Sequence, residues 1–164
     1  MRRHGLAGDT LESGALRALA NEIEKKRSGA PLIVYGDAFW ESREQRLGGA
    51  LNQRDLTTRN VCHQAMVFER TLFERLGLYE IRYRNCADWA WNIRAWGDKG
   101  VEKRYVPLLV ARYQGGGQSE TATDENFNTD ILGLVQSNFS WPVRALYTLR
   151  RRIPQSVKNL LRRG

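Results

Sequence analysis

Asp88 stands at the head of the run Ala87-Asp88-Trp89-Ala90-Trp91-Asn92-Ile93-Arg94-Ala95-Trp96-Gly97, which holds three of the five tryptophans of the chain. A carboxylate there can do one of two things. It can accept a backbone amide two or three residues on and cap a helix. Or, held at the mouth of a cleft with its oxygens free, it can take a proton. The other residues able to do chemistry are few. Cys62 and Cys86 form neither a disulfide framework nor a C-x-x-C pair, so reduced thiols are expected. Cys62 and His63 are adjacent, and in an extended segment they point to opposite faces, which argues against a shared structural zinc.

These residues need elements to position them. Trp89, Ile93 and Trp96 recur at i, i+4, i+7 and share one helix face, while Trp91 projects from the other side, so this helix needs apolar cover on two sides. Leu11, Ala15, Leu19 and Ile23 form a stripe for a surface helix over 12–27, with Ser13 as a cap and Gly29-Ala30-Pro31 as its stop. Leu32-Ile33-Val34-Tyr35 is an unbroken apolar run, the pattern of a strand covered on both faces, ending at Gly36-Asp37. Residues 41–59 are polar and contain Gly48-Gly49, which predicts a long loop. Val61 to Phe68 predicts a strand, and Glu69 to Leu76 a short helix closed by Gly77. Val101 to Tyr113 predicts two extended pieces around Pro107, and Gly115-Gly116-Gly117 a hinge. Thr123 to Phe139 predicts another helix, with Phe127, Ile131, Leu134 and Val135 on one face. Helices feeding buried strands indicate an α/β sheet.

The totals set limits. A chain of 164 residues can bury one substantial core, and a mean hydropathy of -0.55 fits a globular protein with no apolar leader and no run long enough to cross a bilayer. The net charge of +8 is unevenly placed. Residues 141–164 contain seven Lys/Arg and no acid, leaving the rest nearly balanced at 19 basic against 18 acidic. Basicity is thus a property of the tail, which divides at Pro154 and reads as a basic amphipathic helical segment. It could be an ordinary terminal helix with a solvated basic face, or a contact with an anionic membrane surface. An RNA- or DNA-binding arm is disfavoured by the lack of an aromatic-rich platform or a nucleic-acid motif.

Several landmarks fall in a telling order: Ala7-Gly8-Asp9-Thr10-Leu11, Val34-Tyr35-Gly36-Asp37, Cys62-His63-Gln64, Leu72 to Tyr79, Ala87-Asp88-Trp89 with Arg94, and Tyr113 with Gly116-Gly117 and Ser119. In that order, over roughly residues 5–120, the chain resembles the family 2 glycosyltransferases of the GT-A fold, in the branch that builds bacterial surface polysaccharides. The resemblance implies an α/β fold with an incomplete GT-A-like mixed sheet flanked by helices. It makes 1–140 the C-terminal portion of the catalytic domain, ahead of the basic helical tail at 141–164 that the charge pattern marks. The strand and helix pairs that in the family precede the acidic motif and bind the nucleotide have no counterpart, so exposed strand edges are expected.

The resemblance further implies transfer from a nucleotide-sugar donor, with inversion at the anomeric carbon, to a polysaccharide or lipid-linked acceptor; the basic tail would place the chain in the cytoplasm, at the inner face of the plasma membrane. Asp88 matches the catalytic base. Asp9 matches the last acidic position of the motif that meets a divalent metal (Mg or Mn) and the donor diphosphate, although Ala7-Gly8-Asp9 supplies one carboxylate. By its residues alone Asp9 is equally a loop aspartate capping the next helix. His63 and Gln64 match a pair beside the acceptor cleft, the alternative for His63 being a histidine satisfied within a sheet. Asp37, at the carboxyl edge of its strand, is either a ligand group or a turn residue. Trp89, with Trp91, is either a stacking wall for a sugar or core, and Arg94 belongs to the same cleft-lining set. The rival reading is a non-catalytic membrane- or partner-binding remnant.

Overall fold

A computed structural model describes residues 9–26, 28–114 and 123–153. The expected hinge at Gly115-Gly116-Gly117, Ser119, the Ala7-Gly8 part of the acidic motif and the tail beyond Ile153 lie outside them.

The fold is α/β: a mixed, open five-stranded sheet flanked by helices. Its strands are β1 (Thr10–Leu11), β2 (Leu32–Trp40), β3 (Gln45–Leu47), β4 (Met66–Phe68) and β5 (Glu102–Tyr113). The order is β1-β5-β2-β3, with β4 also pairing β2. Beside β5, β2 runs parallel (Tyr35 opposite Tyr105). On its other edge, its first half pairs antiparallel with β4 (Val34 opposite Val67) and its second half with β3 (Phe39 opposite Arg46). Occupied on both edges and faces, β2 is the buried centre that its apolar run predicts. On the outer edge of β5, β1 pairs only with Ala111 and Arg112, and no other strand among the described residues pairs there.

The period-two alternation of β2 separates two cores. Leu32, Val34 and Ala38 face helix α1 (Ala15–Glu24), packing with Ala15, Leu19, Val110 and Ala111. Ile33 and Tyr35 face the opposite layer, made of α2 (Thr71–Leu76), α3 (Ala87–Gly97) and α4 (Glu125–Asn138). Helix α5 (Trp141–Arg152) lies on that layer through Val143 and Tyr147.

The tryptophan helix has its two-sided cover. Trp91 is fully buried between Phe68, Phe73 and Tyr79, Trp96 meets Tyr35 edge-on, and Trp89 packs on Phe127. Their indole N–H groups donate to three backbone carbonyls outside the helix: Trp91 to Gly77 at 2.9 Å, Trp89 to Leu56 at 2.8 Å and Trp96 to Leu51 at 2.9 Å. A buried indole needs such a partner, and here each one anchors a loop to α3.

Several local expectations are corrected. Helix α1 is shorter than 12–27: Leu11 belongs to β1 instead, and left-handed Gly14, not Ser13, precedes the first turn with no side-chain cap. β2 does not stop at Gly36-Asp37 but continues to Trp40. Residues 41–59 are not one loop. The polar strand β3 makes a hairpin with β2, and a 3-10 turn at Asp55–Thr57 buries Leu56 completely. The expected strand from Val61 is only β4, because His63–Ala65 forms a 3-10 turn in which the Ala65 N–H donates to the Cys62 carbonyl at 3.0 Å. Pro107 does not split β5. The register against β2 shifts between Tyr35 and Asp37, so the proline sits where β5 bulges and no ladder donor is needed.

Candidate active site

An open cleft of about 1290 Å³ lies at the carboxyl ends of β2 and β5. Its lining includes Asp9, the β2–β3 hairpin from Trp40 to Gly49, the segment 59–64, Tyr79 and residues 84–89 at the start of α3. Of the residues singled out from the sequence, Asp9, His63, Gln64, Asp88 and Trp89 line this cleft, whereas Asp37 and Arg94 do not.

Asp88 lies in the first turn of α3, one residue inside it, and does not cap it. The position before the helix is Cys86, which makes no side-chain cap bond. The Asp88 side chain is 25% exposed. Its Oδ1 accepts the N–H of Trp89 at 2.8 Å, and its Oδ2 accepts Nδ2 of Asn60 at 3.0 Å. His63 Nδ1 is 3.5 Å from Oδ2. A carboxylate has about four lone-pair sites, so Asp88 keeps capacity to accept from a group entering the cleft. Placement at the N-terminus of α3 also favours negative charge there.

The 3-10 turn that replaces the expected strand turns His63 toward Asp88. Its pKa is raised above the ordinary 6.5, chiefly by the Asp88 hydrogen bond; burial works the other way, and the charges of Asp88 and Asp9 add to the rise. One residue on, Gln64 is fixed at both ends of its amide. Cys62 Sγ donates to Oε1 at 2.8 Å, and Nε2 donates to Asp9 Oδ2 at 3.0 Å. The Cys62 thiol keeps the proton for that bond, because burial pushes its pKa up to about 11. Burial likewise takes Cys86 up to about 11, so neither cysteine is a nucleophile at neutral pH.

Two expected cleft residues serve the frame instead. The buried Asp37 carboxylate accepts from Arg46 Nε at 2.7 Å, the Gly49 N–H at 2.9 Å and the Tyr105 hydroxyl at 2.7 Å. Burial opposes its charge, but these donors outweigh it and hold its pKa below the ordinary carboxylate value. Asp37 therefore ties the hairpin to β5. Arg94 donates to Glu80 Oε1 at 3.0 Å and to the Leu78 carbonyl at 2.8 Å, holding the segment before α3. Trp89 is both wall and core: it lines the cleft, packs on Phe127 and is tied to Leu56.

Sequence reasoning missed three groups here. Asn60 and Asn92 stand behind Asp88; Asn92 is four residues along the same helix, a polar side chain in an otherwise apolar stretch. Asp124, the N-cap of α4, accepts from Phe127 and also from the Asn85 and Cys86 amides at 2.9 and 3.2 Å, fixing the approach to α3. On the opposite wall Trp40 stacks on Tyr113 at 5.3 Å, and the Arg43 guanidinium lies 3.8 Å above the Trp40 ring.

No family model matches the chain. It is similar to glycosyltransferases of PGL/p-HBAD biosynthesis from Mycobacterium bovis and Mycobacterium tuberculosis, in each case 37% identical over 131 residues, which cover 79% of this chain and 50% of the relative. The chain spans about half the length of the curated relatives it matches. The similarity takes in most of the chain.

Proposed function

We propose that the chain is a glycosyltransferase of the GT-A type, transferring a sugar from a nucleotide-sugar donor to a hydroxyl of a glycan or lipid-linked acceptor with inversion. The observation that carries this reading is the Asp88 carboxylate, held on the cleft wall by Asn60 and Trp89 yet a quarter open to the cavity that Asp9 also lines. An acceptor hydroxyl bonded to Asp88 loses its proton to that carboxylate as its oxygen bonds to the anomeric carbon. The bond from that carbon to the diphosphate breaks in the same displacement, and the nucleoside diphosphate leaves with the electron pair.

Asp9, held by Gln64 and lining the same cleft, is the residue for the diphosphate side. No cluster of three or more carboxylate, histidine or cysteine ligands occurs among the described residues. A protein-only cage for an ion is therefore not what these residues build. One carboxylate does fit the way Mg or Mn is held beside phosphates, with donor oxygens and waters completing the shell. Such an ion would supply charge for the departing diphosphate. His63 and Gln64 offer donors to substrate hydroxyls, and Trp89 supplies an apolar wall.

The test uses UDP-, GDP- and dTDP-hexoses as probes, with release of nucleoside diphosphate and binding followed separately. Asp88→Asn is expected to bind the productive donor as the parent does and to lose turnover; undiminished turnover would remove Asp88 from its role.

Helix α5 supports a second element of this reading, a peripheral contact with an anionic membrane surface. Trp141 and Leu149 are 71% and 60% exposed, and Arg150, Arg151 and Arg152 end the helix. No helix among the described residues is long and apolar enough to cross a membrane. Sedimentation with phosphatidylglycerol vesicles, abolished by deleting 141–164, is the expected result; equal sedimentation with neutral vesicles would contradict it.

A further inference from the structure

Behind Asp88 runs a short chain of amides. Asn92 Nδ2 donates to Asn60 Oδ1 at 2.8 Å, and Asn60 Nδ2 donates to Asp88 Oδ2 at 3.0 Å. The direction of both bonds is dictated from the acidic end. An ionised carboxylate only accepts, so Asn60 must turn its NH2 toward Asp88 and its carbonyl toward Asn92, which must then present its own NH2.

That arrangement carries a cost. Asn92 is fully buried in α3, and with its NH2 committed to Asn60 its Oδ1 has no hydrogen-bond partner among the described residues. A buried carbonyl left unpaired costs roughly 1–3 kcal/mol, and an apolar residue of similar shape would avoid it. Stability alone therefore does not account for an asparagine at this position of an apolar helix.

We propose that Asn60 and Asn92 are positioning residues that hold the Asp88 carboxylate at one orientation toward the cleft. The proposal rests on the reading of Asp88 as the base. Asn60 belongs to the irregular segment between the 3-10 turn at Asp55–Thr57 and His63, whereas Asn92 and Asp88 share the rigid frame of α3, one helical turn apart. The Asn92 amide thus fixes Asn60 against the helix, and Asn60 in turn fixes a side chain on that helix. The carboxylate loses rotational freedom before substrate arrives. A misplacement of about 1 Å at such a group can cost as much as ~100-fold in rate.

The experiment has two arms on the full chain. In the first, the side-chain amide resonances of Asn60 are followed by 15N NMR. They are expected to shift in Asp88→Asn and to collapse toward free-amide values in Asn92→Leu. Resonances indifferent to both changes would overturn the proposal whatever the kinetics. In the second, donor turnover and melting temperature are measured with UDP-, GDP- and dTDP-hexoses for Asn92→Leu, and for Asn60→Ala in the cleft lining. The expected result is a fall in kcat of about 10- to 100-fold, with the donor KM within about twofold; the melting temperature should hold or rise for Asn92→Leu and fall for Asn60→Ala, which leaves the buried Asn92 amide unpaired. A fall in melting temperature with kcat retained would make the pair structural and defeat the proposal. In the Asp88→Asn background, Asn60→Ala should have no further effect. Turnover retained in Asp88→Asn sinks the base reading and the positioning role with it; turnover lost there but kept in both asparagine variants sinks the positioning role alone.

Discussion

Asp37 and Asp88 look alike as sequence, each a single carboxylate following a small residue at the edge of an apolar run. Their surroundings separate them. Asp37 is 4% exposed and accepts from a guanidinium, a backbone amide and a phenol, which leaves it nothing to offer a substrate. Asp88 accepts from one backbone amide and one side-chain amide, stands beside a histidine and remains a quarter open to the cleft. A carboxylate whose lone pairs are all taken by the fold holds the fold, and one with acceptor capacity left toward a cavity can do chemistry. The number of donors around each oxygen, more than its neighbours in sequence, assigns the role.

The comparison breaks most visibly at Asp88. Asp88→Asn should lower transfer by about 100- to 10,000-fold, the usual contribution of a general base, while changing stability by less than about 0.5 kcal/mol. Rate measurements and thermal melts on one sample check both halves. Asp37→Asn should behave in the opposite sense and lower stability by about 2 kcal/mol. That lies below the cost of breaking a fully buried ion pair because Arg46 is 56% exposed. Denaturant unfolding measures it, and a stability equal to the parent's would contradict the structural role. Gly48→Ala probes the same knot from the other side. A Cβ there would lie 1.7 Å from Asp37 Oδ1, so the carboxylate must move, and a loss of about 1–2 kcal/mol is expected.

Smaller effects come with pH, and they again differ in sign between the two sites. The folded-state pKa of Asp37 is depressed, so its contribution is complete above the unfolded carboxylate value and fades as pH falls through the folded one. The pKa of His63 is raised, so the stability it gains beside Asp88 is complete below about 6.5 and lost as pH rises through the folded value. That gain is small, because the His63 side chain is 61% exposed. Protonated His63 also occupies the carboxylate proposed as base, so turnover should drop on the acidic side of its titration. In Asp88→Asn the His63 ring, followed by its NMR shift, should titrate closer to 6.5. An unchanged midpoint would show that the two do not interact.

Much of the frame was legible from pattern. The β2 run, the Gly77 stop after α2, the Phe127–Val135 face of α4 and the two-sided character of α3 follow from residue period, because burial imposes that period directly. The failures share a cause as well. β3 and the 3-10 turns at 55–57 and 63–65 are only three residues long, too short to show a period. Their conformations depend on partners distant in sequence: Arg46 is drawn to Asp37, Leu56 is buried under the Trp89 layer, and His63 is brought to Asp88. The approach of Asn60 to Asp88 was equally hidden, since nothing in either segment names the other. Asn92 left a local trace, a polar residue one turn from Asp88 among buried neighbours.

By itself the sequence determined the longer helices and strands and named Asp88 and His63 as candidates for chemistry, because apolar periodicity and glycine placement are local properties of the chain. Only the tertiary structure decided that Asp88 opens to a cleft while Asp37 is closed off. Hydrogen-bond saturation is the sum of donors brought from other segments, and that sum exists only once the chain has folded.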